Sequence, residues 1–465
     1  MGAGKTTVGA EIARLLERPF VDIDEKLEAE YGPIATIFER QGESTFRSLE
    51  EDRVARALAE VPPSVIALGG GALGSARTRA ALRDRAFTVF LDVDVDTAWA
   101  RARATGRPLA NDEARFRELY QARQETYREA ADAVATDSDG VLLAAAGIVC
   151  ERGAYGRLAE FVPGDGPVVL VADERVLELH PPDLGARVVG VHTVPSGERA
   201  KSLDVCARLW EELALDRSGT LVALGGGTTT DVAGFVAATY LRGLAAWVPV
   251  PSTLVGQVDA AIGGKTGVDL AKGKNLVGAF NPPVRVIVDP DLLTTLPAAQ
   301  RTEGMAEVVK TGLLSGRELW RRDDDTMVRS AAAFKAAICI ADPREAGRRS
   351  ILNLGHTFAH ALEAGGDYRG PTHGEAVALG LRAALALSER HLGLDPAVRQ
   401  EVERVLPVAR ARVDAAAAWR AMALDKKARR GRLRLVLLQA PGAPVFPVEL
   451  PDKEIRAALA DLTGP

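Results

Sequence analysis

Arg349 to Glu375 reads R-S-I-L-N-L-G-H-T-F-A-H-A-L-E-A-G-G-D-Y-R-G-P-T-H-G-E, and it holds three of the chain's six histidines, His356, His360 and His373. His356 and His360 are four residues apart, so a helix puts them on one face. Arg349 and Asn353 stand on the turns before them. His373 follows a Gly/Pro-rich turn and opens the apolar run Ala376 to Leu381. Neutral imidazole is a ligand for zinc, and a carboxylate often completes such a site. A lone i,i+4 pair would read as two surface histidines. A third histidine close by, with an Arg and an Asn interleaved, favours a metal site.

Working outward, the flanking sequence keeps a helical period. Gly304-Met305-Ala306-Glu307-Val308-Val309-Lys310 places Glu307 and Lys310 one turn apart on one face. Alone they would be a surface ion pair; beside the histidines, Glu307 becomes the candidate third ligand. Lys335 precedes Arg349, and Met422 to Lys427 leads through a polar turn to a strand over 433–438. Residues 298–465 therefore read as a helical metal-binding part.

Upstream of residue 298 the pattern is α/β. Val168 to Ala172 is a buried strand with Asp173 at its C-terminal end, where a carboxylate can meet a ribose. Pro195 to Ser202 is a polar loop carrying Glu198 and Lys201. Thr220 to Leu224 is a strand running into Gly225-Gly226-Gly227-Thr228-Thr229-Thr230-Asp231 and a helix to Tyr240. Glycines at a strand-to-helix turn let a pyrophosphate sit on bare N–H groups, although G-x-G-x-x-G is absent. A strand over 247–251 leads to Ser252 and Thr253; Asp259, Lys265, Thr266, Lys274 and Asn275 follow on glycine-rich loops that suit a phosphate or carboxylate. Val284 to Val288 is a further strand. Residues 141–297 form this part.

The first 140 residues make a third. The chain opens M-G-A-G-K-T-T, and Gly2, Gly4, Lys5 and Thr6 match the end of a phosphate-binding loop. The first glycine of that pattern and the strand before it are missing, so either the true start lies ahead of Met1 or the domain has lost an edge of its site. Lys5 would reach terminal phosphates and Thr6 would hold Mg²⁺. Val8, Ile12, Leu15 and Leu16 share a helix face. Phe20 to Asp24 reads as a strand ending in two carboxylates on one side, and Val65 to Leu68 as a strand entering Gly69-Gly70-Gly71. Arg101, Arg103 and Arg107 form a cationic lid candidate, with Arg123 on a later helix. Asp137 to Gly153 reads as a short turn-forming linker.

Composition sets the remaining bounds. The 465 residues suffice for two or three domains. A net charge of −5 without a dense Lys/Arg run gives no electrostatic case for nucleic acid. Cys150, Cys206 and Cys339 are scattered, which fits a reducing cytoplasm. No signal peptide and no bilayer-spanning apolar stretch is read, so no membrane partner is expected.

In their order, the blocks of the first segment resemble shikimate kinase over about Met1 to Asp137. The resemblance implies ATP- and Mg²⁺-dependent phosphorylation of the shikimate 3-hydroxyl. It assigns shikimate to Asp24, Arg47, Gly70, Gly71 and Arg123, proton acceptance to Asp24, a place near Mg²⁺ to Asp22, and charge stabilisation over the phosphates to Arg107.

From Tyr155 to Leu438 the motifs P-S-G-E-R-A-K-S, G-G-G-T-T-T-D, P-S-T-L, Q-V-D-A-A-I-G-G-K-T, G-K-N, G-M-A-E-V-V-K, L-N-L-G-H-T-F-A-H, H-G-E-A and D-K-K closely resemble 3-dehydroquinate synthase. The resemblance implies an NAD-binding α/β domain, a helical metal domain, a homodimer, and conversion of 3-deoxy-D-arabino-heptulosonate 7-phosphate to 3-dehydroquinate and phosphate, with NAD regenerated each turnover. Zn²⁺ (or Co²⁺) falls to Glu307, His356 and His373, leaving His360 to handle protons. NAD falls to Asp173, Glu198, Lys201, Gly226, Gly227, Asp231, Ser252, Thr253 and Lys274. Phosphate falls to Lys265, Asn275, Arg349 and one of Lys426 and Lys427, with Arg242 reaching in from the partner subunit. Lys310 and Lys335 meet the carboxylate and hydroxyls, and Asp259 and Asn353 orient the substrate. The family usually has Gly where this chain has Thr230, and Thr resists a positive φ. The stretch between Lys310 and Lys335 reads as shorter than usual. Two rival readings remain: a polyol dehydrogenase of the same two-domain fold, which would release NADH, and a degenerate kinase segment serving as a binding module.

Overall fold

The computed structural model describes residues 2–104, 112–271, 273–366, 370–428 and 431–464, with side chains throughout except over 424–428. The chain divides into two compact units, Met1–Ala146 and Gly147–Pro465.

In the first unit the glycine turn leads into α1 (Lys5–Leu16), whose Ile12, Ala13, Leu15 and Leu16 are buried as the 3.6-residue period requires. Then come β1 (Phe20–Asp22), α2 (Ile23–Tyr31), α3 (Ile34–Gln41), α4 (Glu43–Ala59), β2 (Val65–Ala67), α5 (Ala76–Arg85), β3 (Val89–Leu91), α6 (Val95–Ala104), α7 (Glu113–Ala130), β4 (Ala133–Ala135) and α8 (Ser138–Ala145). β1 pairs with β2 and β3 with β4, both in parallel. An apolar cavity of about 460 Å³ is lined by both β2 and β3, with Val8, Ile12 and Leu16 of α1.

Two sequence expectations change here. The Asp22 carboxylate accepts from the backbone N–H of Asp24 and Glu25, so it caps a helix and ends the strand. Asp24 therefore sits in the first turn of α2, not beside Asp22 on a strand face. The segment read as a linker is ordered: Asp137 caps α8 through the Gly140 N–H, and Ile148–Cys150 is β5, paired in parallel with a strand over Val286–Val288.

The second unit continues with α9 (Leu158–Phe161), β6 (Val168–Asp173), α10 (Glu174–Leu179), β7 (Val188–Val194), α11 (Leu203–Glu212), β8 (Thr220–Gly225), α12 (Gly227–Thr239), β9 (Ala246–Pro251), β10 (Lys265–Leu270), β11 (Gly273–Phe280) and β12 (Val286–Val288). β7, β6, β8 and β9 form a parallel sheet in that order. β6, β8 and β9 are buried apolar runs because both their faces are covered, while the edge strand β7 alternates half-buried and exposed residues. Val169 and Val171 of β6, with Leu221 and Ala223 of β8, pack under Val232 and Val236 of α12. The alternate residues Val168, Leu170, Val222 and Leu224 join Leu158, Val250 and Ile287 on the other face. β10 and β11 form an antiparallel hairpin.

The rest is mostly helical: α13 (Ala298–Ser315), α14 (Asp324–Ala341), α15 (His356–Gly365), α16 (His373–Leu392), α17 (Pro396–Val405), α18 (Ala415–Ala428), the antiparallel hairpin β13 (Leu435–Ala440) and β14 (Ala443–Val448), and α19 (Asp452–Ala460). α15 and α16 pack on each other, and α13 packs on α16. No described helix is long and apolar enough to cross a membrane.

Candidate active site

In the second unit a cavity of about 1370 Å³ collects nearly all the residues singled out in the sequence. One wall is the carboxyl end of the parallel sheet. There the backbone of Gly226 and Gly227 opens α12, with Ser252 and Thr253 at the end of β9. A Cβ on Gly227 would stand 2.9 Å from the Ala260 Cβ, so the turn admits only bare backbone. Orphan N–H groups at a helix start suit an anionic ligand. Thr230 lies inside α12, outside the positive-φ residues, and its hydroxyl donates to the Gly227 carbonyl at 3.0 Å. The strain expected there is absent, because the left-handed turn closes before this position.

Asp173 caps α10, accepting from the N–H of Arg175 and Val176 and from the Ser196 hydroxyl at 2.7 Å. Lys201 bonds Asp231 at 2.7 Å and also reaches Asn275 Oδ1. Burial pushes the Asp231 carboxyl up to about 6, even against the pull of Lys201. Lys274 pairs with Glu198 at 3.0 Å. Lys265 pairs with Glu345, whose other oxygen accepts from Asn353 Nδ2 at 2.8 Å.

The opposite wall is helical. The π-turn Gly256–Ala260 presents Asp259. Lys335 bonds the Asp259 carbonyl and carboxylate, each at 2.6 Å, and Lys310 stands 3.6 Å from the same carboxylate. Lys310 also pairs with Glu307 one turn before it on α13. Burial opposes ionisation of both carboxyls, but neighbouring groups outweigh it: Lys310 and Lys335 hold Asp259 low, and Lys310 with His356 and His373 holds Glu307 well below the usual range. Burial likewise opposes the Lys310 charge, and the two carboxylates outweigh that too, raising its pKa.

Glu307, His356 and His373 come from three helices, and one donor atom of each lies within 4.8 Å of the others. Glu307 Oε1 is 3.4 Å from His356 Nε2 and 3.3 Å from His373 Nε2. The far nitrogens also have partners: His356 Nδ1 lies 3.2 Å from the Leu354 carbonyl, and His373 Nδ1 3.4 Å from the Glu363 carboxylate. Two imidazoles and a carboxylate make a zinc-type donor set, with the outer nitrogens held by acceptors as metal-binding histidines require. For the His373 ring burial works against the charge, yet bonds to Glu307 and Glu363 raise its pKa to about 10. His360 lines the cavity outside the triad, edge-on to His356 at 5.5 Å between ring centres. Its pKa is pushed to about 4, first by desolvation and then by His356.

Arg349 is buried, its Nη1 donating to the Gly263 and Pro343 carbonyls at 3.0 and 2.9 Å, and it contributes to the cavity wall. Arg242 is exposed on a left-handed turn, φ 67°, and is not among the cavity-lining residues. The side chains of Lys426 and Lys427 lie outside the described residues. Sequence reasoning gave no role to Glu345 and passed over Glu363. Glu363 had a readable signal, since it sits seven residues after His356 and shares its helix face. Glu345 had none, because its partners Lys265 and Asn353 meet it only in the folded chain.

In the first unit Gly2 and Gly4 adopt φ 65° and 86°, and Arg101 reaches the Ala3 carbonyl at 3.4 Å. The Thr6 hydroxyl donates to Asp22 at 2.7 Å. Arg47 bonds Glu50 at 2.7 Å beside Gly71. A Cβ on Gly69 would fall 2.4 Å from the Glu50 carboxylate and 2.6 Å from that of Asp24. Tyr127 holds the Gly70 carbonyl at 2.6 Å, and Arg123 lines the same cavity as Gly70 and Lys5. Arg107 lies outside the described residues.

Family models match the chain in three places: shikimate kinase over residues 1–148, 3-dehydroquinate synthase N-terminal over 191–303, and 3-dehydroquinate synthase C-terminal over 304–428. The 3-dehydroquinate synthase of Halorhodospira halophila (strain DSM 244 / SL1) is 40% identical over 331 residues, covering 66% of this chain and 93% of that protein. That of Gloeobacter violaceus (strain ATCC 29082 / PCC 7421) is 39% identical over 352 residues, covering 68% and 96%. Among solved structures, a 2-epi-5-epi-valiolone synthase from Streptomyces hygroscopicus subsp. jinggangensis 5008 with NAD+ and Zn2+ bound is 26% identical, with a TM-score of 0.60 over 68% of this chain and 96% of that one.

Proposed function

This chain belongs to the 3-dehydroquinate synthase family with a shikimate kinase domain ahead of the synthase, and from that membership we propose that one polypeptide carries both reactions of the shikimate pathway. The second unit converts 3-deoxy-D-arabino-heptulosonate 7-phosphate to 3-dehydroquinate and phosphate. The first phosphorylates the 3-hydroxyl of shikimate at the expense of ATP. The observation that carries the synthase reading is one cavity with a glycine-opened helix start on one wall and, at the other, His356 and His373 backed by the buried Glu307 that completes the triad.

Gly226, Gly227, Asp173, Glu198, Lys201, Asp231, Ser252, Thr253 and Lys274 hold NAD, and the triad holds zinc or cobalt. When bound, the metal supplies Lewis acidity toward a substrate hydroxyl and NAD a reversible hydride acceptor. The chain's own groups do the rest. Asp259, kept ionised between Lys310 and Lys335, accepts from a substrate hydroxyl. Those lysines face the substrate carboxylate. Lys265 and Asn353 exchange Glu345 for the incoming ligand, Lys265 with Asn275 and Arg349 taking its phosphate. His360 offers a ring nitrogen to the cavity for proton handling. The synthase half forms a homodimer in which Arg242 reaches the partner's site.

For the kinase, Gly2, Gly4 and Lys5 cradle the ATP phosphates and Thr6 with Asp22 holds Mg²⁺. Asp24, Arg47, Gly70, Gly71 and Arg123 bind shikimate, with Asp24 as proton acceptor, and Arg107 covers the phosphates.

Two assays on one preparation test the reading: shikimate-dependent ADP release, and phosphate release from the heptulosonate phosphate without net NADH. Phosphate release without ADP release leaves the synthase alone, and net NADH replaces it with a polyol dehydrogenase. Lys5→Ala removes the first activity. His356→Ala removes the second together with stoichiometric zinc; a variant retaining either would refute the role given to that residue.

A further inference from the structure

His356 opens α15, and Glu363 follows two turns later on the same helix. Helix α16, opposite, begins at His373, with its start pinned by a capping box between Thr372 and Glu375. The backbone of His373 is thereby placed, but its ring is less confined than that of His356: the side chains are 38% and 11% exposed. Packing orients His356, and the Leu354 carbonyl takes its Nδ1. His373 lacks that enclosure. What meets its Nδ1 is the buried carboxylate of Glu363, whose one hydrogen-bond partner among the described residues is this ring.

We propose that Glu363 is the positioning residue for His373. A neutral imidazole carries one N–H, and an acceptor at Nδ1 keeps the proton there and turns the Nε2 lone pair toward the point shared with Glu307 and His356. A carboxylate does this more strongly than a carbonyl and makes the ring more basic toward a cation. Helix α15 thus supplies one ligand from its first turn and orients another from its last. The inference rests on the reading of the triad as a metal site. It concerns how tightly the ion is held, not which residues ligate it.

The test is zinc affinity of the metal-free full chain, measured by competition with a chromophoric chelator. Glu363→Ala loses both the acceptor and the charge and is expected to bind zinc about 10–100-fold more weakly. Glu363→Gln, which is isosteric and keeps an acceptor, falls between it and the wild type. With Co²⁺ in place of zinc, the visible ligand-field bands of Glu363→Ala shift while far-ultraviolet circular dichroism does not. Synthase activity lost at limiting zinc returns as zinc is raised. Wild-type affinity together with an unshifted cobalt spectrum in Glu363→Ala overturns the inference while the metal site stands. A wild-type chain that takes up no zinc overturns the metal-site reading and this inference with it.

Discussion

Lys310→Met tests the electrostatic design of the helical wall. The Lys310 ammonium is 1% exposed and lies between the carboxylates of Glu307 and Asp259. Removing it leaves Glu307 facing only the imidazoles of His356 and His373 or a bound metal, while Asp259 keeps Lys335 at 2.6 Å. Breaking a buried pair from one side costs about 3–5 kcal/mol, and the surviving Lys335 beside Asp259 and His373 beside Glu307 place this case at the low end, near ~3 kcal/mol. At ~2.1 cal/mol/K per residue, the roughly 320 residues of this unit unfold with about 0.67 kcal/mol/K, so the loss is a fall in Tm of about 4–5 °C. Four of the five tryptophans lie in this unit, so a fluorescence melt in chelator reports it. Zinc should shrink the loss, because the ion restores positive charge beside Glu307. Adding Glu307→Gln to Lys310→Met should recover at least half of it in chelator, because no unpaired charge then remains at that end. A fall below about 1 °C in chelator, or a double variant less stable than the single one, would refute the argument.

Thr230→Gly should lower stability by about 1 kcal/mol in denaturant titration, because about 0.3 kcal/mol of helix propensity is lost together with the buried side chain and its bond to the Gly227 carbonyl; a gain would show that Thr230 is strained after all. In metal-free protein two histidines shape the pH dependence oppositely. His373, raised from 6.5 to about 10, contributes stability that is complete below pH 6.5 and disappears as pH rises through 10. His360, lowered from 6.5 to about 4, costs stability as pH falls from 6.5 toward 4. Tm measured against pH in chelator should lose the first slope in His373→Gln and the second in His360→Gln; unchanged slopes refute the assignments. Burial pushes the Cys150 thiol up to about 12 and the Cys206 thiol up to about 11, and it raises Cys339 as well, against the pull of nearby cations. A thiol reagent at pH 8 should therefore label none of the three at the rate of a free thiol until the protein unfolds; fast labelling of any one contradicts its burial.

Much of the fold could be read locally. The apolar strands ending at Asp173 and Gly225 and the helix face of α1 each follow from a period within a dozen residues, and the structure shows them in those places. Capping was harder to read. Asp22 and Asp137 looked like a strand end and a linker, because whether a carboxylate captures the next turn's N–H groups depends on a backbone path the sequence does not state. Thr230 looked strained because the sequence does not state which residue of the glycine turn takes the positive φ; it is Gly225, five residues earlier.

What the sequence determined by itself is the set of side chains able to bind metal, phosphate and carboxylate, and the helix registers that carry them. Spacing alone pairs His356 with His360, because i and i+4 are neighbours on one helix. The tertiary structure instead gathers His356 with Glu307 and His373, which takes α13, α15 and α16 packed together. It also decided that Glu345 bridges Lys265 to Asn353 and that Glu363 backs His373. Such pairs join turns and helices that diverge in the chain, and only burial of their apolar faces brings the charged ones within reach.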